Sequence, residues 1–268
     1  MKIFALGIVI TPILSRREVK MILQKLPEHQ FSKLKRLEVF NDESTVLSFG
    51  MLQRFHNLEK LKLTDSLYRE ILSREEYLDK LDNLEQMWKE DSKLNLILPN
   101  LEILKVYKCN NLITLMPAST SFQNLKTLRV WRCKGLISLI SSSTAKTLVQ
   151  LEEMRIGYCD VMTEIVSNGD VKEDNIIFSI LKDLSLISLS SLISFCYENY
   201  TLSFPSLEDL YLWKCLKMKF FSLGVTHTPI LQQIQVDYQK YIWEGDLITT
   251  IRCIHEELVF TTIIISFS

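Results

Sequence analysis

One apolar pattern, L-x-x-L-x-V-x-x-C-x-x-L-x-x-L, is written twice between Leu101 and Leu139. Leu101, Leu104, Val106, Cys109, Leu112 and Leu115 recur as Leu125, Leu128, Val130, Cys133, Leu136 and Leu139, each displaced by 24 residues. Six apolar positions fixed at one period make the chain an array of similar units, which excludes most folds.

The spacing dictates what one unit does. Around Leu104-x-Val106 apolar and polar residues alternate, as in a short strand with one buried face. After the cysteine the apolar spacing widens to three, so the chain turns there and returns on another path. One coil cannot bury its own leucines, whereas stacked coils share a continuous core, with strands about 4.8 Å apart. This predicts an α/β leucine-rich repeat solenoid, with a curved parallel β-sheet on the concave face and an irregular, 3₁₀ or short helical convex side.

Further copies start at Leu34 (LKRLEVF) and Leu58 (LEKLKLT), again 24 apart. Clean copies then start at Leu101, Leu125, Leu151, Leu181, Leu207 and Leu231, at intervals of 24, 26, 30, 26 and 24. The register fails after Thr64. Leu78, Leu81, Leu84 and Met87 fit the later part of the motif, but Ser73 and Glu76 stand where its first two leucines belong, as in a degenerate or partly deleted repeat. The interval of 30 contains the polar run from Ser167 to Asn175, SNGDVKEDN, which predicts a protruding loop. The array therefore comprises about eight to nine repeats over residues 32–240, flanked by an N-terminal capping segment (1–31) and a C-terminal cap with an apolar tail (241–268).

At the N-terminus, residues 2–14 (KIFALGIVITPIL) are apolar behind one lysine, as a signal peptide would be. Pro12 and the lack of a small-residue cleavage site favour a cap strand, and 13 residues fall short of the ~20 needed to span a bilayer. Ser15-x-x-Glu18 then makes a capping box, and Val19, Ile22, Leu23 and Leu26 share one helical face before Pro27. This short helix is expected to cover the open end of the stack. The tail, residues 258–268 (LVFTTIIISFS), is apolar enough to aggregate if exposed.

The cysteines Cys109, Cys133, Cys159 and Cys215 imitate a metal or disulfide set, yet all four fill the same repeat position. Leu189 takes that position in the intervening copy, so it requires apolar volume rather than sulfur. No C-x-x-C pair exists, no metal site is expected, and unpaired thiols suit a reducing compartment. Four histidines (His29, His56, His227, His255) lie in different coils without a motif partner, and His227 beside Pro229 reads as a turn residue. There is no G-x-x-x-x-G-K-[ST] and no G-x-G-x-x-G, so neither catalysis nor a nucleotide or other cofactor is expected. A formal net charge of -1 gives no electrostatic case for nucleic acid.

Function is then sought on the exposed face of the sheet. Two outward positions per strand form two columns. The first runs Glu38, Lys62, Lys105, Arg129, Arg155, Ser185, Tyr211, Gln235. The second runs Phe40, Thr64, Tyr107, Trp131, Gly157, Ile187, Trp213, Asp237. Arginine interleaved with exposed aromatics is the composition of protein-binding hot spots, which nominates Lys105, Tyr107, Arg129, Trp131, Arg155, Tyr211 and Trp213. The competing reading is that the tryptophans only cover neighbouring coils.

Several phrases carry a resemblance: NLEQMWKE (83–90), SFQNLKTLRVWRCKGL (121–136), TLVQLEEMRIGYCDVMTEIV (147–166), FPSLEDLYLWKC (204–215) and the closing YIWEGDLITTIRCIHEEL (241–258). Over roughly residues 31–258 the chain resembles the C-terminal leucine-rich repeats of plant coiled-coil nucleotide-binding disease resistance proteins. The resemblance implies a cytoplasmic segment of an immune receptor. Its partner would be a pathogen effector, a guarded host protein or the receptor's own nucleotide-binding domain. The family's coiled-coil and nucleotide-binding regions would precede such a segment and are not in this sequence, which is expected of a truncated paralogue, a gene-model fragment or a decoy. An extracellular receptor ectodomain would carry G-x-I-P segments and many glycosylation sites, whereas Asn199-Tyr-Thr201 is the one sequon here. A ubiquitin-ligase adaptor would need an F-box before the first repeat.

Overall fold

The computed structural model describes residues 8–9, 33–40, 46–48, 55–67, 70–73, 98–113, 115–116, 121–168 and 175–266. The expected capping helix at 15–26, the later motif of the degenerate repeat (Leu78, Leu81, Leu84 and Met87) and the tip of the loop at 169–174 lie outside these residues.

Alternating burial makes each L-x-x-L-x-V segment a strand. The strands are β1 (Ile8–Val9), β2 (Arg36–Phe40), β3 (Val46–Ser48), β4 (Lys60–Thr64), β5 (Glu70–Ser73), β6 (Ile103–Tyr107), β7 (Thr127–Trp131), β8 (Ser138–Ser141), β9 (Glu153–Gly157) and β10 (Glu164–Ser167). They continue with β11 (Asn175–Ile177), β12 (Asp183–Ile187), β13 (Ser194–Cys196), β14 (Thr201–Ser203), β15 (Asp209–Trp213), β16 (Thr226–His227), β17 (Ile234–Asp237) and β18 (Lys240–Ile242). Among the described residues the helices are α1 (Ser142–Ala145) and α2 (Leu247–Ser266).

One ten-stranded sheet, in the order β1-β2-β4-β6-β7-β9-β12-β15-β17-β18, forms one face of the solenoid. Every neighbouring pair in it is parallel except the closing hairpin β17–β18. Strand β4 pairs directly with β6, Leu61 opposite Leu104. The leucines of successive copies stack into one core, in which Leu61, Leu104, Leu128, Met154, Leu184 and Leu210 are all buried.

The return path is more ordered than an irregular one. Its segments form two further parallel sheets, β13-β10-β8 and β11-β14-β16, and a pair β3–β5, while α1 is a single turn. His227 accordingly sits in a short strand opposite Ser203, not in a turn. Four phenylalanines behind these sheets pack as a herringbone: Phe178 stacks on Phe204 (5.1 Å) and Phe195 on Phe221 (4.7 Å), with edge-on contacts between the two pairs. Such geometry satisfies the ring quadrupoles as well as the apolar area.

The corner before each cysteine has its own conformation. Asp65, Lys108, Arg132, Tyr158, Ser188 and Lys214 all have φ between 50° and 59°, the left-handed region that L-residues usually avoid. The compensation is regular. The N–H of Lys108 donates to the Trp131 carbonyl (2.8 Å), that of Arg132 to Gly157 (2.9 Å) and that of Ser188 to Trp213 (2.7 Å), and with Asp65 and Tyr158 bonded likewise, five of these corners extend the ladder by one bond. After Lys108, Arg132 and Tyr158 the next residue is a buried cysteine, whose Sγ donates to the carbonyl two residues back: Cys109 to Tyr107 (3.6 Å), Cys133 to Trp131 (3.7 Å), Cys159 to Gly157 (3.5 Å). Burial pushes the Cys215 thiol up to about 12.

At the far end α2 packs Leu247 and Ile251 into the core and Ile254 against it. Asp246 caps it, accepting from the Thr249 N–H (2.9 Å) and hydroxyl (2.8 Å), which holds its carboxyl below the usual range. Among the described residues no helix is long and apolar enough to cross a membrane.

Candidate functional site on the concave sheet

The two columns stand side by side in the structure. In the first, Glu38, Lys62, Lys105, Arg129, Arg155, Ser185, Tyr211 and Gln235 are consecutive register partners, and in the second Phe40, Thr64, Tyr107, Trp131, Gly157, Ile187 and Trp213 are. A hollow of about 540 Å³ on this face gathers five of the seven nominated residues: Tyr107, Arg129, Trp131, Arg155 and Tyr211. Lys105 lines an adjoining hollow that shares Tyr107 and Trp131. Trp213 lines neither; Lys214 Nζ lies 4.4 Å from its ring centroid in a cation–π contact.

A strand of this length has three outward positions, and the third column supplies what the other two lack. It runs Arg36, Lys60, Ile103, Thr127, Glu153, Asp183, Asp209, also in register. Its carboxylates clamp the arginines. Arg129 donates from Nε to Glu153 Oε1 (2.7 Å) and from its terminal nitrogen to Oε2 (2.9 Å), a bidentate pair. Arg155 approaches the same Oε1 at 2.8 Å without hydrogen-bond alignment, and donates to Asp183 Oδ2 at 2.6 Å. The Ser185 hydroxyl donates to the other oxygen of Asp183 (3.0 Å). Burial of the Glu153 carboxyl works against ionisation, but the Arg129 hydrogen bond and both guanidiniums outweigh it and hold its pKa below the usual value. Glu153 in turn raises the pKa of Arg129.

Trp131 has two contacts at once. Its ring lies over the Gly157 backbone, where an added Cβ would come within 2.6 Å of the ring, and is tilted against Tyr158 at 5.1 Å. The gap that Gly157 leaves in the second column is therefore the seat of Trp131. The ring both covers the neighbouring coil and borders the hollow. Across the hollow, burial and the charge of Asp237 push the Tyr211 phenol up, and Tyr241 on β18 closes the far wall. The signal for Glu153, Asp183 and Asp209 was present in the alternation, since the residue before each L-x-V core must also point outward. Among the described residues no group of three or more His, Cys, Asp or Glu is placed to hold a metal ion.

Comparison with known proteins locates the chain. The family model described as "Plant disease resistance protein RPS2-like, leucine-rich repeats" matches residues 74–121 and 118–238, together more than half of the chain. No curated protein and no solved structure is matched.

Proposed function

Because the chain belongs to the RPS2-like leucine-rich repeats of plant disease resistance proteins, we propose that it is the recognition segment of a cytoplasmic immune receptor, reading a protein partner on its concave sheet. The partner would be a pathogen effector, a guarded host protein or the receptor's own nucleotide-binding domain. The observation that carries this reading is the hollow between Tyr107, Trp131 and Tyr211, floored by guanidiniums that carboxylates already hold in place. Side chains fixed before binding lose little entropy on association, and aromatics beside arginine supply the large contact terms. Six unpaired cysteines, five of them buried, favour a reducing compartment. No catalytic or cofactor-binding role is assigned.

The test is binding of the purified chain to a panel of effectors and to a nucleotide-binding domain of an RPS2-like receptor, with Trp131→Ala and Tyr211→Ala beside the parent. A partner held on this face should lose about 2 kcal/mol or more with either substitution. Binding that survives both would place the recognition surface elsewhere.

A further inference from the structure

Beside the aromatic hollow, toward the N-terminus, cations are in excess. A second hollow of about 390 Å³ is lined by Lys60, Lys62, Lys105, Lys108 and Arg132 around Thr64, with Tyr107 and Trp131 as walls. Among the described residues two carboxylates pair with three of these five cations. Glu38 lies 3.4 Å from Lys60 Nζ and 3.5 Å from Lys62 Nζ, and Asp65 lies 3.5 Å from Lys108 Nζ. Lys105 and Arg132 make no ion pair among the described residues. Like charges on neighbouring strands repel, and the effect registers at Lys105: burial first, then Arg129 and Lys60, push its ammonium below the ordinary value. Thr64 Oγ1, on the same wall, is buried with no hydrogen-bond partner among the described residues, a costly condition for a hydroxyl.

Five cations and an unused hydroxyl donor are jointly complementary to an acceptor-only anion of high charge density. We propose that this hollow binds a compact, soluble phosphate ester carrying two or more phosphate groups, with Lys60, Lys62, Lys105, Lys108 and Arg132 around the phosphates and Thr64 donating to a phosphate oxygen. An acidic peptide fits less well. Extended chains turn successive side chains to opposite faces, so only alternate carboxylates could meet the cations. A phosphomonoester brings about -1.5 to -2 and three acceptor oxygens to one point. A long polyanion is also blocked, since the following strands present Glu153, Asp183 and Asp209 in its path. The site needs no glycine loop: side-chain cations here do what backbone amides do in a phosphate loop, so the missing nucleotide motif has no bearing on it. A nucleotide would be held by its phosphates alone. This site stands independently of the recognition reading for the aromatic hollow.

Inorganic tripolyphosphate is the probe, titrated calorimetrically into the full chain at low salt beside a hexaglutamate peptide and ATP. Saturable one-to-one binding of tripolyphosphate is expected, with hexaglutamate weaker and ATP no tighter. Lys105→Glu should weaken it about tenfold or more through charge reversal, and Thr64→Val should weaken it several-fold at unchanged thermal stability. Lys219→Glu, an exposed lysine on the return side, should leave it unchanged. Lys105→Met replaces the first variant if charge reversal perturbs folding. Absence of saturable binding, equal affinity in the Lys105 variant, or hexaglutamate binding as tightly as tripolyphosphate would each overturn the proposal.

Discussion

The two ends of the concave sheet carry the same sign of charge in the same column, yet they are different surfaces. Toward the C-terminus each first-column guanidinium meets a third-column carboxylate at 2.6–2.9 Å: Arg129 on Glu153, Arg155 on Asp183. Toward the N-terminus Lys60 and Lys62 share Glu38 at 3.4 and 3.5 Å, and Lys105 has no such partner among the described residues. The difference arises in the third column, which is basic at Arg36 and Lys60 and acidic from Glu153 onward. A column of lysine and arginine therefore says little about potential until the adjacent column is laid beside it. One end is a rigid, nearly neutral lattice beneath aromatic rings, and the other an open cationic surface.

The largest expected effect tests what the ends share. Leu61 and Leu128 occupy the same inward position in the same core, so Leu61→Ala and Leu128→Ala should each cost about 2 to 5 kcal/mol through the cavity left behind. Trp131→Ala, which loses the Gly157 and Tyr158 contacts but leaves the core intact, should cost about 1 to 2 kcal/mol in urea unfolding. A loss equal to that of Leu128→Ala would mean that Trp131 is core.

The next test separates the ends directly. Glu153→Gln strips two guanidiniums of a shared partner and should cost about 1 to 2 kcal/mol at neutral pH, allowing for partial exposure, whereas Glu38→Gln should cost under about 0.5 kcal/mol. Equal costs would abolish the distinction between clamped and loose cations. The acid limb sharpens it. Glu153 has a folded pKa below its unfolded value, so as pH falls the unfolded chain takes up the proton first. The carboxylate's contribution is complete above the ordinary glutamate value of about 4.3 and disappears as pH drops toward the folded pKa. The stability gap between parent and Glu153→Gln should therefore close in unfolding curves taken on descending below pH ~4.

The smallest effect concerns the corners, where the ends differ only in residue type. Ser188→Gly relieves a left-handed φ of 50° and should stabilise by about 0.5 to 1 kcal/mol. Asp65→Gly should gain close to nothing, since Asp tolerates that region and Asp65 pairs with Lys108. A melting temperature unchanged by Ser188→Gly would show that the corner carries no strain.

The sequence by itself determined the solenoid, its strand positions, the buried cysteine ladder and both outward columns, because apolar period and strand alternation are local properties that a stacked array repeats without change. Family membership was legible for the same reason, in phrases such as those around Cys133 and Cys215. Other features were decided only in three dimensions. Glu153 and Arg129 are 24 residues apart and become partners only through the register of β7 against β9. Gly157 made no sense alone until Trp131 was seen lying on it. The phenylalanine herringbone and the ordered return sheets depend on how separate coils nest, and the non-glycine corners depend on a hydrogen bond supplied by the next coil. Periodicity fixes which way a side chain points, but which neighbour it meets is set by the lateral stacking of coils, and that stacking decides which cations are closely clamped by carboxylates and which are not.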